Sequence, residues 1–109
     1  MNTTRILISN EFESYREALA EAFRAFCPDL EVYEAESYDL DRKVERLHPE
    51  LVVCSRVTAL VRKTVPIWVE LHPDCAPVST VSVSGRRREI ESLELQDLLE
   101  LVDQAKALV

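Results

Sequence analysis

Leu47-His48-Pro49-Glu50-Leu51-Val52-Val53-Cys54-Ser55 is the stretch on which the fold turns. His48-Pro49 ends whatever helix precedes it, because the residue before a proline is pushed out of helical backbone. Leu51 to Cys54 then run as continuous apolar residues without alternation, the pattern of a strand covered on both faces in a parallel sheet. Upstream, Leu40, Val44 and Leu47 are spaced for one face of a short helix. Ser37 stands as its cap, with Asp39 and Asp41 in its first turn and Arg42, Lys43 and Arg46 in its last, an order that suits the helix dipole. Leu30-Glu31-Val32-Tyr33-Glu34-Ala35 alternates as a second strand.

Further upstream, Arg5-Ile6-Leu7-Ile8-Ser9 is another continuous apolar run. Asn10 is placed to cap the helix after it, with Glu13 three residues on in a box-like pair. Tyr15, Leu19, Ala22, Phe23 and Phe26 give that helix one apolar face. Downstream of Cys54, a short helix or turn over residues 57–61 leads to a fourth strand, Ile67-Trp68-Val69-Glu70-Leu71. Only residues 72–77, with two prolines, follow before Val78-Ser79-Thr80-Val81-Ser82-Val83. A parallel crossover needs a dozen or so residues, so the spacing predicts no helix there. It predicts an edge strand, a turn at Ser84-Gly85 and an antiparallel return through Arg87-Arg88-Glu89-Ile90. An amphipathic helix over about residues 92–107 closes the chain, with Leu95, Leu98, Leu99, Val102 and Ala105 on one face. The fold expected is α/β: three layers, doubly wound, a mostly parallel sheet with an antiparallel edge hairpin and a C-terminal amphipathic helix.

The 109 residues are 47% apolar and 30% charged, with one glycine and five prolines. This is globular composition with no linker, repeat or low-complexity tract, and one domain over residues 1–109 is expected. No basic leader or cleavage site marks a signal peptide, and no apolar stretch approaches the roughly 18–20 residues of a membrane span. Cys27, Cys54 and Cys75 are odd in number and far apart, which points to free thiols in a reducing cytoplasm. A formal charge of −7 opposes nonspecific attraction to nucleic acid or anionic membrane.

Several of these segments together resemble the receiver domain of response regulators. Ile6-Leu7-Ile8-Ser9-Asn10-Glu11 is similar to the strand that ends in the paired acids of that family. Tyr15-Arg16-Glu17-Ala18-Leu19 resembles the start of its first helix, and Cys27-Pro28-Asp29-Leu30-Glu31-Val32 its entry to strand two. Residues 47–55 resemble the segment that delivers the phosphoacceptor aspartate. The likeness covers residues 5 to about 58. It implies a flavodoxin-like sheet, and it places the acid pair at Asn10 and Glu11 and the acceptor at Ser55. One of the two acids is therefore neutral, and the acceptor carboxylate is absent. The family's Thr or Ser after strand four is replaced by Glu70-Leu71, and no Lys-Pro follows Val81. The resemblance thus implies a degenerate receiver that lacks the phosphorylation chemistry.

Asn10, Glu11, Ser55 and Glu70 are the candidates for a ligand pocket at the carboxyl ends of the strands, where open α/β sheets bind ligands. The plainer reading is that they cap strand-to-helix turns. Leu93, Leu101 and Leu108 lie beyond the apolar stripe that one sheet face needs, and they are the candidates for an interaction surface. Through them or through the edge hairpin a two-fold homodimer is expected. His72 and Cys75 make too small a set for a structural zinc site. Arg86-Arg87-Arg88 is a lone basic cluster, read as a solvated turn, and nucleic acid is not an expected partner. Trp68 reads as core. No cofactor, metal or catalytic residue is indicated. The first expectation is a cytoplasmic, non-enzymatic signalling or protein-interaction module whose partner the residues do not name. The alternative is a small-ligand or metal-dependent sensor or enzyme using the strand-end crevice.

Overall fold

The computed structural model describes residues 3–73 and 76–109. Six strands form one mixed sheet in the order β2-β1-β3-β4-β5-β6. They are β1 (Arg5–Ser9), β2 (Glu31–Glu34), β3 (Leu51–Cys54), β4 (Ile67–Glu70), β5 (Val78–Val83) and β6 (Arg86–Glu91). The first four are mutually parallel, while β5 runs antiparallel to β4, and β6 to β5. The helices are α1 (Glu13–Phe26), α2 (Leu40–Leu47), α3 (Ala59–Thr64) and α4 (Leu95–Lys106). Among the described residues no helix is long and apolar enough to cross a membrane.

The two apolar runs that define the fold lie at the sheet's centre, and Ile6, Leu7, Ile8 and Leu51 to Cys54 have no exposed surface. Because successive side chains point to opposite faces, each run needs cover on both sides. Ile6, Ile8, Leu51, Val53, Ile67 and Val69 pack with α1 and α4, through Phe23, Leu98 and Val102 among others. Leu7, Val52, Cys54 and Trp68 pack on the opposite face with α2 and α3, through Leu40, Val44 and Val61. Each large side chain so buried contributes roughly 1.5–3 kcal/mol of transfer free energy.

The link after β4 carries no α-helix among its described residues, and the hairpin that follows forms as expected. Val83 pairs with Arg86 and Val81 with Arg88. Ser84 and Gly85 have φ of 50° and 87°. Positive φ at both central residues is the type I′ geometry whose twist matches the flanking strands. One expectation is corrected: β5 is not the edge. It is flanked by β4 and β6, so Ser79, Val81 and Ser82 are buried and the charged β6 takes the edge.

The helices depart from the predicted details in four places. Helix α1 buries Arg16, Leu19, Ala20 and Phe23, while Tyr15 and Phe26 are 43% and 64% exposed. An arginine on the inward stripe was not expected, and its carboxylate partners account for it. Asn10 does not cap α1, because its Oδ1 accepts the Phe12 N–H at 2.8 Å and closes a local turn instead. Ser37 opens a 3-10 turn rather than α2, which begins at Leu40. Helix α4 begins at Leu95, after a left-handed Ser92, with a reciprocal cap between Glu94 and Asp97.

The interaction candidates Leu93 and Leu101 are corrected as well. They are 8% and 1% exposed and belong to the core beneath α4; of the three leucines only Leu108, half exposed, reaches solvent. The physical reason is that β5 and β6 widen the face that α4 must cover, with Val81 buried and Val83 and Ile90 packed against the same cluster. The apparent surplus of leucines is therefore used within the chain. Accordingly, Leu101→Ala is expected to lower unfolding free energy by about 2–5 kcal/mol in chemical denaturation. Leu101→Glu should prevent folding, whereas Leu108→Glu should stay within about 0.5 kcal/mol of the parent.

Candidate functional site

The parallel strands β1, β3 and β4 end at one rim of the sheet, so the residues after each meet there. Register places Ser9 beside Cys54 and Cys54 beside Glu70. The next residues, Asn10, Ser55 and Leu71, together with Glu11, Phe12, Tyr15 and His72, line a recess of about 180 Å³. Three of the four predicted pocket residues are thus brought together.

Their polar atoms are largely engaged by the protein itself. Ser55 Oγ accepts the Glu11 N–H at 2.9 Å, and the Ser55 N–H donates to the Ser9 carbonyl at 3.3 Å. Asn10 holds the Phe12 N–H with its side chain, and its own carbonyl accepts from Arg16 Nη1 at 3.2 Å. Asn10 and Ser55 are 6% and 5% exposed. They act as the clips that turn β1 and β3 out of the sheet, and Glu11 is left as the carboxylate on the rim. The mouth is aromatic, with Phe12 56% and Tyr15 43% exposed.

Glu70 is not part of this recess. Side chains alternate along β4, and Glu70 falls on the face of Trp68, toward α2 and α3. There its Oε2 accepts the Val57 N–H at 2.9 Å and pins the loop that leads from β3 to α3. It also lies near Cys54. Burial, and secondarily the Glu70 charge, push the Cys54 thiol up to about 12. Cys54 is therefore a buried packing residue with a weak bond to the Val69 carbonyl at 3.5 Å.

His72 is one of the recess residues that the sequence did not assign to this pocket. It becomes a neighbour of Ser55 only through the pairing of β3 with β4, and nothing in its local sequence carries that signal. Its N–H donates to Ser79 Oγ at 2.9 Å, and its Nδ1 lies 3.2 Å from the Ala76 carbonyl, an acceptor, so Nδ1 carries the proton. The backbone φ of 44° at His72 is held by these contacts. Among the described residues no hydrogen bond joins His72 to Ser55, so the base-to-nucleophile link that serine chemistry requires is not formed. The paired reading of His72 with Cys75 lies outside the described residues. Among the described residues no three His, Cys, Asp or Glu side chains group in a way that suits a metal ion.

Arg16 closes the neighbouring part of the rim. Its side chain is 7% exposed and reaches Glu36 Oε1 at 3.1 Å from Nη2. Its Nε has no hydrogen-bond partner but sits 3.5 Å from Glu34 Oε1, a charge contact without a formed bond. The arginine joins α1 to the ends of β1 and β2. Both carboxylates keep some solvent, which moderates the cost of removing the cation.

Comparison with protein-family models, with curated proteins and with solved structures gave no match to this chain. Two expectations follow from the site geometry. Native Cys54 should resist a thiol reagent at pH 8 and react only on unfolding. Its raised pKa also has a signed effect on stability: the contribution is full below about pH 8.5 and is lost as pH climbs toward 12, because the unfolded thiol ionises first. Cys54→Ser should flatten that alkaline slope in denaturation curves measured between pH 8 and 10.

Proposed function

We propose that this protein is a non-catalytic interaction module of the signalling type, a receiver derivative that works without phosphorylation. The observation that carries the proposal is the state of the strand-end rim. At the positions that match the family's acid pair and acceptor, Asn10 and Ser55 spend their oxygens on the protein's own N–H groups. A hard divalent cation requires several oxygen ligands, and Glu11 is the single carboxylate among the recess residues. Serine, moreover, cannot form the acyl phosphate that the family uses.

The strand order β2-β1-β3-β4 supports the family reading, since flavodoxin-like sheets begin in that order. The resemblance over residues 5 to about 58 covers β1, β2 and β3, three of the four parallel strands. The departure begins at the link after β4, where the antiparallel hairpin replaces a further crossover. A doubly wound ancestry with a remodelled edge accounts for both. The odd number and wide spacing of Cys27, Cys54 and Cys75 suit a reducing, cytoplasmic setting.

Size weighs against the alternative of a small-ligand sensor or enzyme. The recess of about 180 Å³ is smaller than the roughly 300–1,000 Å³ of most ligand sites. Glu70, the fourth candidate for that pocket, is on the other face of the sheet. The exposed Phe12 and Tyr15 instead suit contact with a protein surface, where aromatic side chains are enriched.

Incubation with acetyl phosphate and Mg²⁺ is therefore expected to leave the mass of the protein unchanged. Amide NMR signals of Asn10, Glu11 and Ser55 should not shift when Mg²⁺ and a phosphate analogue are added. A phosphorylated species that disappears in Ser55→Ala would overturn the reading.

A further inference from the structure

The polar groups around the strand-end recess divide into those the protein has used and one it has not. Asn10 Oδ1 and Ser55 Oγ accept backbone N–H groups, and His72 turns its N–H and Nδ1 to Ser79 Oγ and the Ala76 carbonyl. Glu11 is exposed and lines the recess, and among the described residues its carboxylate has no donor and no cation beside it. The arginines that adjoin these segments do not supply one. Arg16 is held by Glu34 and Glu36, and Arg56, which has an interaction of its own, does not line the recess.

The other walls are apolar or aromatic. Leu71 is buried behind the recess, while Phe12 and Tyr15 line it and stay about half exposed. A free carboxylate beside two aromatic rings and an aliphatic side chain is complementary to a cation carried on an aliphatic stem. The ring faces attract positive charge, the carboxylate pairs with it, and the apolar wall takes the methylenes. An anionic group is opposed both by Glu11 and by the net charge of −7. A neutral apolar group would cover the carboxylate and leave it without a partner, at a cost. The volume of about 180 Å³ is below the roughly 300–1,000 Å³ of most ligand sites and leaves room for one side chain.

We infer that the recess seats one arginine side chain from a basic segment of a partner protein, paired with Glu11 and stacked against Phe12 and Tyr15. This inference rests on the reading of the protein as an interaction module and names the chemistry of its partner. Arginine fits better than lysine because its planar guanidinium is more weakly hydrated, stacks on aromatic rings and meets a carboxylate through two N–H groups. Arginine and aromatic side chains are also the residues that anchor protein interfaces.

The test is an amide NMR titration of the protein with the peptide acetyl-Gly-Arg-Gly-amide. The signals of Glu11, Phe12, Tyr15, Ser55 and His72 are expected to shift together, with a dissociation constant of about 1 mM, the scale of a single anchor. The same peptide with citrulline, which keeps the shape of arginine and lacks its charge, should bind at least about tenfold more weakly, and the lysine peptide about threefold more weakly. Glu11→Gln should raise the constant for the arginine peptide about three- to tenfold, and Tyr15→Ala about threefold. Both side chains are exposed, so the remaining signals should stay in place. Glu45→Gln serves as the control: it removes the same charge from the last turn of α2, which leads into the start of β3 at the other end of the sheet, and should leave binding unchanged. Absence of rim shifts, equal binding of the arginine and citrulline peptides, or equal weakening by Glu11→Gln and Glu45→Gln would each reject the inference. The module reading is decided by acetyl phosphate and Mg²⁺, a different titrant, so the two failures are told apart.

Discussion

Burial of β1 and β3 on both faces is the constraint from which the rest of this structure follows. Ile6 to Ile8 and Leu51 to Cys54 have no solvent contact, and a strand so placed can be neither an edge nor the floor of an open groove. It must have strands beside it and helices above and below. The chain meets this requirement with β2 and β4 as flanks, α1 and α4 on one face, and α2 and α3 on the other. The C-terminal ends of β1, β3 and β4 then fall at one rim whether or not any chemistry resides there.

That rim shows how a fold can keep its crevice while its polar groups serve another purpose. Asn10 and Ser55 are positioned as functional groups would be, yet each satisfies a backbone N–H at the exit of its strand. Unmet donors at nearly buried positions cost about 1–3 kcal/mol, so such contacts account for these residues without a ligand. Glu70 does the same work on the opposite face for the loop after β3. Arg16 couples the rim to α1. Its charge is tolerated because Glu34, Glu36 and the Asn10 carbonyl surround it.

The short link between β4 and β5 has the second-largest consequence. With too few residues for a crossover helix, the chain turns back antiparallel, adds a hairpin and ends its sheet on a charged strand. The same extension enlarges the face beneath α4, which is why Leu93 and Leu101 are core residues. It also leaves the two edges unlike: Arg24 and Lys43 donate to the Val32 and Glu34 carbonyls at the β2 edge, and among the described residues no side chain does so at β6.

The sequence by itself determined the element order, the four parallel strands, the link into the hairpin that is too short for a crossover helix, and the central place of Trp68. These depend on local patterns: continuous apolar runs, alternation, proline, and a Ser-Gly turn that accepts positive φ. What only the tertiary structure decided involves partners distant in the chain. Arg16 replaced Tyr15 on the inward face of α1 because Glu34 and Glu36, about twenty residues on, neutralise it. His72 joined Asn10, Glu11 and Ser55 because β4 lies beside β3, while Glu70 left them because side chains alternate across a sheet. Whether a leucine is surplus depends on the width of the face it covers, and that width was set by two strands whose place at the end of the sheet no local pattern encodes.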